Sequence, residues 1–406
     1  MIEKKECLNM KLANRVLTMK ESPIRKFSPI ALKAMEEGKK VYRLNIGQPD
    51  IKTPDCFMEA VRKFDETVIA YAQSGGDVLL QEAIADYFSR YSMTYAPEQI
   101  MITNGGSEAL SMIFLSLLDP GDEVLVPEPF YTNYHTFVTM ADGVIVPVTT
   151  TAEEGYHFAD VSKFEAAITP KTKAICCTSP GNPTGTVLTL EEMKLIGEIA
   201  KKYDLWIIAD EVYREFAYDG RPVNSFGMLK DLEDRVILVD SISKRFSACG
   251  ARVGCIVSKN NDILSNVMKI AQGRLSVPTI EQAGAAALYK LPGSYYDAIR
   301  AEYESRRDAA YEELEKIPGV VCRKPGGSFY LMAKLPVDNV EDFLIFLLTE
   351  FEDKGETVMF SPAEGFYATP GLGKTEMRIA YVLNKEDMAR SVELIRLGIE
   401  AYNNRA

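Results

Sequence analysis

The sequence predicts an α/β protein with a mostly parallel sheet, and three observations carry that expectation. From about Glu59 to Ala285, apolar runs (VLVPEP, VIVPV, KAICCTS, LWIIAD, RVILVD and GCIVS) alternate with stretches of helical periodicity. That alternation marks strands joined through helices on both faces of one sheet. Several runs end in acids, hydroxyls or glycine-rich turns, at the edge where α/β sheets collect their ligands. After Pro318-Gly319 a second series (VVCRKP, GSFYLMAKL, VMFSPA and MRIAYV), with helices near 340–354 and 385–402, reads as a smaller α/β lobe.

Along the chain, a helix over Pro29–Gly38 leads to the loop Asn45-Ile-Gly47-Gln-Pro-Asp50. Thr103-Asn-Gly105-Gly106-Ser107 opens the apolar helical stretch SEALSMIFLSLL. Glycines and a hydroxyl at a helix start expose amides to an anion, although the same residues also make an ordinary N-terminus. Ala174–Cys177 is a buried strand ending in Ser179-Pro-Gly-Asn182-Pro-Thr-Gly185, a good turn in itself. Leu205–Ala209 is another strand, with Asp210 at its carboxyl end and Tyr213 close behind. An acid there is either a helix cap or the partner of a protonated ring nitrogen.

Arg235–Asp240 leads into Ser241-Ile-Ser-Lys244-Arg-Phe-Ser-Ala-Cys-Gly250-Ala-Arg252-Val-Gly254. Alone, Lys-Arg-Phe reads as a solvated turn. In a chain with only two histidines, though, a lysine just past an apolar strand points to amine rather than imidazole chemistry. The stretch Tyr295–Ile317, full of Arg/Glu pairs, is expected to be a helix linking two lobes. Ala368-Thr-Pro-Gly-Leu-Gly373-Lys374-Thr375 imitates a nucleotide P-loop. A true one opens with glycine and runs into a helix, whereas this one runs into alternating Met377–Val382, the pattern of a strand.

Composition sets limits. The 406 residues can hold two domains, or one large domain with an appended lobe, and a 47% hydrophobic share supplies ample core. A net charge of −12 speaks against nucleic acid or an anionic membrane as partner. Met1–Lys20 lacks the apolar stretch of a signal peptide, and no run approaches a membrane span. The seven cysteines show no zinc-like pairing, so no metal is expected. Cys176 and Cys177, adjacent in an apolar run, should act as small hydrophobes, and Cys249 should be inert. Unpaired cysteines suit a reducing cytoplasm. His135 and His157 are expected to be structural.

The motifs Asn-Pro-Thr-Gly, Asp210-Glu-Val-Tyr213 and Ser-x-Ser-Lys-x-Phe-x-x-x-Gly-x-Arg-x-Gly occur together, in this order. With them the chain resembles the fold-type I, class I/II pyridoxal phosphate-dependent aminotransferases, the aspartate aminotransferase superfamily, from Asn45 to Tyr381. The resemblance implies a large domain with a seven-stranded sheet (46–290), a small C-terminal domain (291–406) and an N-terminal segment (1–45) packed with the latter. It implies pyridoxal 5′-phosphate as cofactor, with Lys244 bonded to it and later moving a proton, Asp210 paired with its pyridinium, and Asn182 and Tyr213 on its phenolate oxygen. Gly105, Gly106, Ser107, Ser241 and Arg252 match the phosphate cup. Tyr131 matches the aromatic stacked on the ring, and Tyr71 a tyrosine that reaches the neighbouring subunit's phosphate in a homodimer. Arg378 matches the fork that grips the substrate α-carboxylate, with Asn182 and the backbone of Gly47 beside it.

The implied activity is ping-pong transfer of an amino group from aspartate to a 2-oxo acid such as 2-oxoglutarate. Arg274 is the candidate for a distal carboxylate. Aromatic residues at 130, 131, 134 and 366–367 leave open an aromatic, alanine or methionine aminotransferase. A carbon–sulfur β-lyase or a cyclopropane-forming synthase would use the same cofactor residues. A ligand-sensing regulator would need a DNA-binding domain, and only about 45 residues precede the Gly-Gln-Pro-Asp motif. The segment Gly76-Asp77-Val-Leu-Leu80-Gln81 lacks the arginine usual in the family, which leaves the subfamily open.

Overall fold

Neighbouring residues in the central apolar runs point to opposite faces of one sheet, and there both faces are buried, while the edge run Val144–Thr149 is part-exposed. A computed structural model describes residues 12–20 and 22–405. Its strands are β1 (Lys40–Arg43), β2 (Ile100–Thr103), β3 (Glu123–Glu128), β4 (Val144–Thr149), β5 (Thr172–Thr178), β6 (Trp206–Asp210), β7 (Val236–Ser241), β8 (Gly254–Val257), β9 (Tyr330–Lys334), β10 (Glu356–Met359), β11 (Ser361–Pro362) and β12 (Glu376–Ala380). Seven form one sheet in the order β2-β8-β7-β6-β5-β3-β4. Leu125, Ile175, Ile207 and Leu238 pack on one face with Leu80 and Ile84 of helix Val78–Ser89 and Met193 and Ile196 of helix Leu190–Lys202. Val124, Ala174, Ile208 and Ile237 pack on the other, with helices Gly105–Leu117 and Asn261–Arg274. Strands covered on both sides read as unbroken apolar runs, which is how the sequence shows them. Cys176 and Cys177 accordingly lie on opposite faces, both buried and neither paired, and burial pushes both thiols well above their ordinary range.

β3 to β7 are parallel, whereas β8 runs antiparallel to both β7 and β2. The reversal has a local cause. Between Ser241 and Gly254 the chain makes only turns and a short 3-10 turn at Cys249–Ala251, with no α-helix to carry it back across the sheet as a parallel pair needs. Residues just before β8 therefore lie at the rim where the parallel strands end. β2 escaped the sequence reading because its four residues, IMIT, are buried throughout and too short to show a period.

A second sheet, β11-β12-β9, is antiparallel, and β1 pairs in parallel with β10, so Lys40–Arg43 lie beside the C-terminal strands. The helix Gly293–Leu314 replaces the expected Tyr295–Ile317, and Ser28–Glu36 the expected Pro29–Gly38. VVCRKP forms no strand, only a bridge between Val321 and Lys334. The P-loop imitation is a turn leading into β12, as expected. Gln81, where the family's arginine is missing, donates to Ile100 O at 2.7 Å and Gly75 O at 3.2 Å, and so ties its helix to β2.

Gly254 marks the tightest contact in the sheet. A Cβ there would lie 2.6 Å from Gly105 C, 2.7 Å from Gly106 N and 2.9 Å from Asp240 O, all backbone atoms. We expect Gly254→Ala to cost roughly 2 kcal/mol or more in chemical denaturation. A change in midpoint below the scatter of repeated measurements would contradict this packing.

Candidate active site

A cavity of about 440 Å³ opens where β5 and β6 end, between the lysine loop, the first turn of helix Gly105–Leu117, and the chain around Gly47, Tyr330 and Arg378. Lys244 projects into it and donates from Nζ to Gly47 O at 3.2 Å. The loop that carries it is held from below. Arg245 pairs with Asp240, Ser243 N donates to Ser241 Oγ at 3.4 Å, Cys249 Sγ donates to Ser243 O at 3.0 Å, and Thr53 Oγ1 donates to Ser247 O at 2.7 Å.

Asp210, the last residue of β6, sits at the buried end of the cavity. Tyr134 donates to its Oδ2 at 2.7 Å. Burial outweighs that bond and pushes the carboxyl up from its ordinary 3.8 to about 6. Such a carboxylate calls for a cation. Tyr213 approaches Tyr330 with 3.1 Å between the hydroxyls, and burial pushes its phenol well up, so it stays protonated and able to donate. Tyr131 lines the cavity, its ring edge-on to Tyr134 and its hydroxyl accepting from Asn133 Nδ2 at 2.8 Å.

An anion seat lies at the helix start. Asn104 does not cap the helix with its side chain, which leaves the first-turn amides open, and Gly106 and Ser107 line the cavity. Gly105 has φ +75° and lies under Arg252, whose Nη2 would be 2.4 Å from a Cβ there. Arg252 donates to Cys249 O at 2.9 Å and Asn104 O at 3.3 Å and still lines the cavity. Ser243 also lines it, whereas Ser241 stays 2% exposed behind it.

Arg378 comes from β12 and is 1% exposed. Its guanidinium donates to Asn182 Oδ1 at 3.1 Å and to Asn45 O, and lies over the rings of Tyr330 at 4.5 Å and Phe366 at 4.9 Å. Its Nε is buried without a hydrogen-bond partner. Orphaned charged donors of this kind are costly, and a carboxylate would satisfy this one.

Lys244, Asp210, Asn182, Tyr213, Gly106, Ser107, Tyr131, Arg252, Gly47 and Arg378 thus share one cavity, with Gly105 and Ser241 just behind it. Tyr71 does not line it and is 80% exposed. Arg274 does not line it either; it pairs with Glu108 at 3.2 Å and donates to Ser74 O at 2.8 Å. His157 sits beside Glu192 at 3.4 Å, and His135 is packed against Phe130, both outside the cavity. Sequence reasoning missed Tyr330, Ser243, Asn45 and Arg25, and offered Tyr134 only as one of several aromatics that leave the substrate open.

The fold and the site define an α/β protein whose cavity sets a lysine between an open helix start and a buried, partly unpartnered arginine. Comparison with known proteins agrees. The model of the family "Aminotransferase class I and II" matches residues 39–395. An aspartate aminotransferase of Bacillus subtilis (strain 168) is 33% identical over 97% of this chain and 100% of its own. Among solved structures, an alanine aminotransferase from Pyrococcus furiosus superposes with a TM-score of 0.88 at 30% identity, covering 96% of this chain and 100% of its own. The aspartate aminotransferase from Thermus thermophilus with maleate gives 0.85 at 29%, with the same coverage. The chain belongs to the class I and II aminotransferases and is an enzyme of that kind.

The raised Asp210 carboxyl has a sign that can be tested in cofactor-free protein. The folded state holds the proton more tightly than the unfolded chain. Between about pH 4 and pH 6 the unfolded state releases it first, so stability falls as pH rises, by a few kcal/mol in all. Melting temperature followed across that window should show the fall in the native chain. In Asp210→Asn it should be flatter, and an identical profile would mean that Asp210 ionises normally.

Proposed function

We propose that this enzyme moves the amino group of an L-amino acid, with aspartate preferred, to a 2-oxo acid such as 2-oxoglutarate, in two half-reactions that use pyridoxal 5′-phosphate. The observation that carries the reading is the buried, unpartnered Nε of Arg378 in the same cavity as Lys244 and Asp210. The aspartate preference rests on the names of the relatives, among them the Bacillus subtilis and Thermus thermophilus enzymes.

The residues present fit the cofactor. Gly106, Ser107, Ser243 and Arg252 would hold a phosphate, with Gly105 and Ser241 shaping the seat from behind. Asp210 would meet a protonated ring nitrogen, Tyr131 would lie against the ring, and Asn182 and Tyr213 would reach the ring oxygen. Bound there, pyridoxal 5′-phosphate supplies a carbonyl for the amino group and a ring that takes up electrons from Cα. The protein's own part is to position and to move protons. Arg378 fixes the substrate by its α-carboxylate, with Asn182 held against the same guanidinium at 3.1 Å. A substrate so held presents its Cα to Lys244, whose Nζ is anchored by a single hydrogen bond to Gly47 O and is free to swing. Lys244 would take the proton from Cα and return one on the cofactor side. Tyr213, kept protonated by burial, would donate to the ring oxygen of the cofactor.

Exposed apolar side chains at Val68 (71%), Ile69 (65%) and Leu79 (66%) flank Tyr71 and support a homodimer in which Tyr71 completes the partner's phosphate seat. We further propose domains at 46–290 and 291–406, with residues 1–45 packed beside the second, and a cytoplasmic location. No helix among the described residues is long and apolar enough to cross a membrane.

Lys244→Ala should lose at least a thousandfold in turnover while still binding pyridoxal 5′-phosphate, read by fluorescence titration; near-normal turnover would remove Lys244 from the mechanism. Arg378→Lys should raise the apparent KM for the amino acid and the oxo acid by at least about tenfold with cofactor affinity unchanged, since a point charge cannot replace a fork. An unaltered KM would place the α-carboxylate elsewhere.

A further inference from the structure

Four cations line the cavity, Lys244, Arg252, Arg378 and Arg25, against a single acid, Asp210. In the aminotransferase reading three of them are matched: Lys244 to the cofactor carbonyl, Arg252 to the phosphate and Arg378 to the α-carboxylate. Arg25 is left over. Its side chain is exposed at the cavity and has no hydrogen-bond or ion-pair partner among the described residues, whereas the next residue, Lys26, turns away to Glu341 at 2.6 Å.

The turn that presents Arg25 is fastened to the carboxylate grip itself. Asn45 donates from Nδ2 to Ile24 O at 3.1 Å, and the carbonyl of the same Asn45 accepts from Arg378 Nη2. On the other side, Pro23 packs so closely on Gly365 that a Cβ there would lie 2.5 Å from the proline ring. The next residue, Phe366, is the ring beneath Arg378. One asparagine and one ring contact therefore set the spacing between two guanidinium groups. Behind the turn, Phe27 and Ala31 are buried at 3% and 2%, which anchors it to the core.

We infer that Arg25 receives the second carboxylate of a dicarboxylic substrate, the distal group of aspartate or glutamate and of their oxo acids, while Arg378 holds the first. This rests on the aminotransferase reading and names the residue that sets its substrate class. Arg274, which the sequence offered for the task, lies outside this cavity and pairs with Glu108 at 3.2 Å.

The test uses enzyme loaded with pyridoxal 5′-phosphate. The amino-transfer half-reaction is measured with aspartate and with alanine, and binding of succinate, an unreactive dicarboxylate, by calorimetry. Arg25→Gln should lower the aspartate-to-alanine ratio of kcat/KM by about 30-fold and weaken succinate by a similar factor, with Arg25→Lys recovering part of both. A merely structural role would depress both donors together and leave the ratio alone. If the native enzyme prefers aspartate and the ratio and succinate affinity stay within about threefold in Arg25→Gln, Arg25 does not bind the distal carboxylate, and the aspartate reading stands. If the native enzyme turns over alanine as readily as aspartate, the aspartate preference falls, and this inference with it.

Discussion

Asp240, at the end of β7, accepts from both Arg245 and Arg214 without access to water, and the rest of the site hangs on that junction. Arg214 also reaches Glu211 at 2.7 Å, and Glu211 in turn accepts from Ser225 Oγ and Phe226 N. The guanidinium groups lie on Phe88 at 4.7 Å and Tyr87 at 4.6 Å. Two buried cations thus face two buried carboxylates, and removing any one would strand a charge in the core at a cost of about 3–5 kcal/mol. What the set secures is position. Arg245 is the residue after Lys244, and Glu211 the residue after Asp210. Lys244 and Asp210, at the ends of neighbouring strands, are braced by their immediate neighbours, which face the core while they face the cavity.

The structure divides the work between two sources. Ends of strands and one helix start supply the anion seat, the acid and the lysine. Their spacing follows from sheet geometry, helped by the reversal of β8, which brings Arg252 to the rim beside Lys244. The proposed grip on the substrate would come from outside that sheet, with Arg378 on β12, Tyr330 on β9, and Asn45 and Gly47 just past β1. Tyr330 joins the halves. Its hydroxyl meets Tyr213 from the large sheet, its ring lies under Arg378, and a Cβ on Gly47 would fall 1.8 Å from its oxygen. Glycine at position 47 is therefore a steric requirement.

Most of the fold was legible because strands buried on both faces leave apolar runs that local pattern detects. The cofactor-side residues were legible because their motifs join backbone demands, such as glycine under Arg252, to fixed polar groups. Three kinds of feature were not. Arg245 reads as a solvated turn residue, since nothing nearby in the chain reveals that Asp240 waits beneath it. Tyr134 and Tyr330 read as core aromatics, because their hydroxyl partners, Asp210 and Tyr213, lie 76 and 117 residues away. Arg25 stands in a stretch with two other basic residues close by, Lys20 and Lys26, and only the folding of the N-terminal turn over the cavity sets it apart.

The turn Ser22–Phe27 contributes no strand to the seven-stranded sheet and no group to the anion seat. A change at its cavity-facing positions alters what a substrate side chain meets while the sheet, the lysine and the phosphate-holding amides stay as they were. Substrate preference can then drift by single replacements in a peripheral stretch, with little loss of stability to repair. That partition fits a scaffold shared, at about one-third identity or less, by proteins named for aspartate and for alanine.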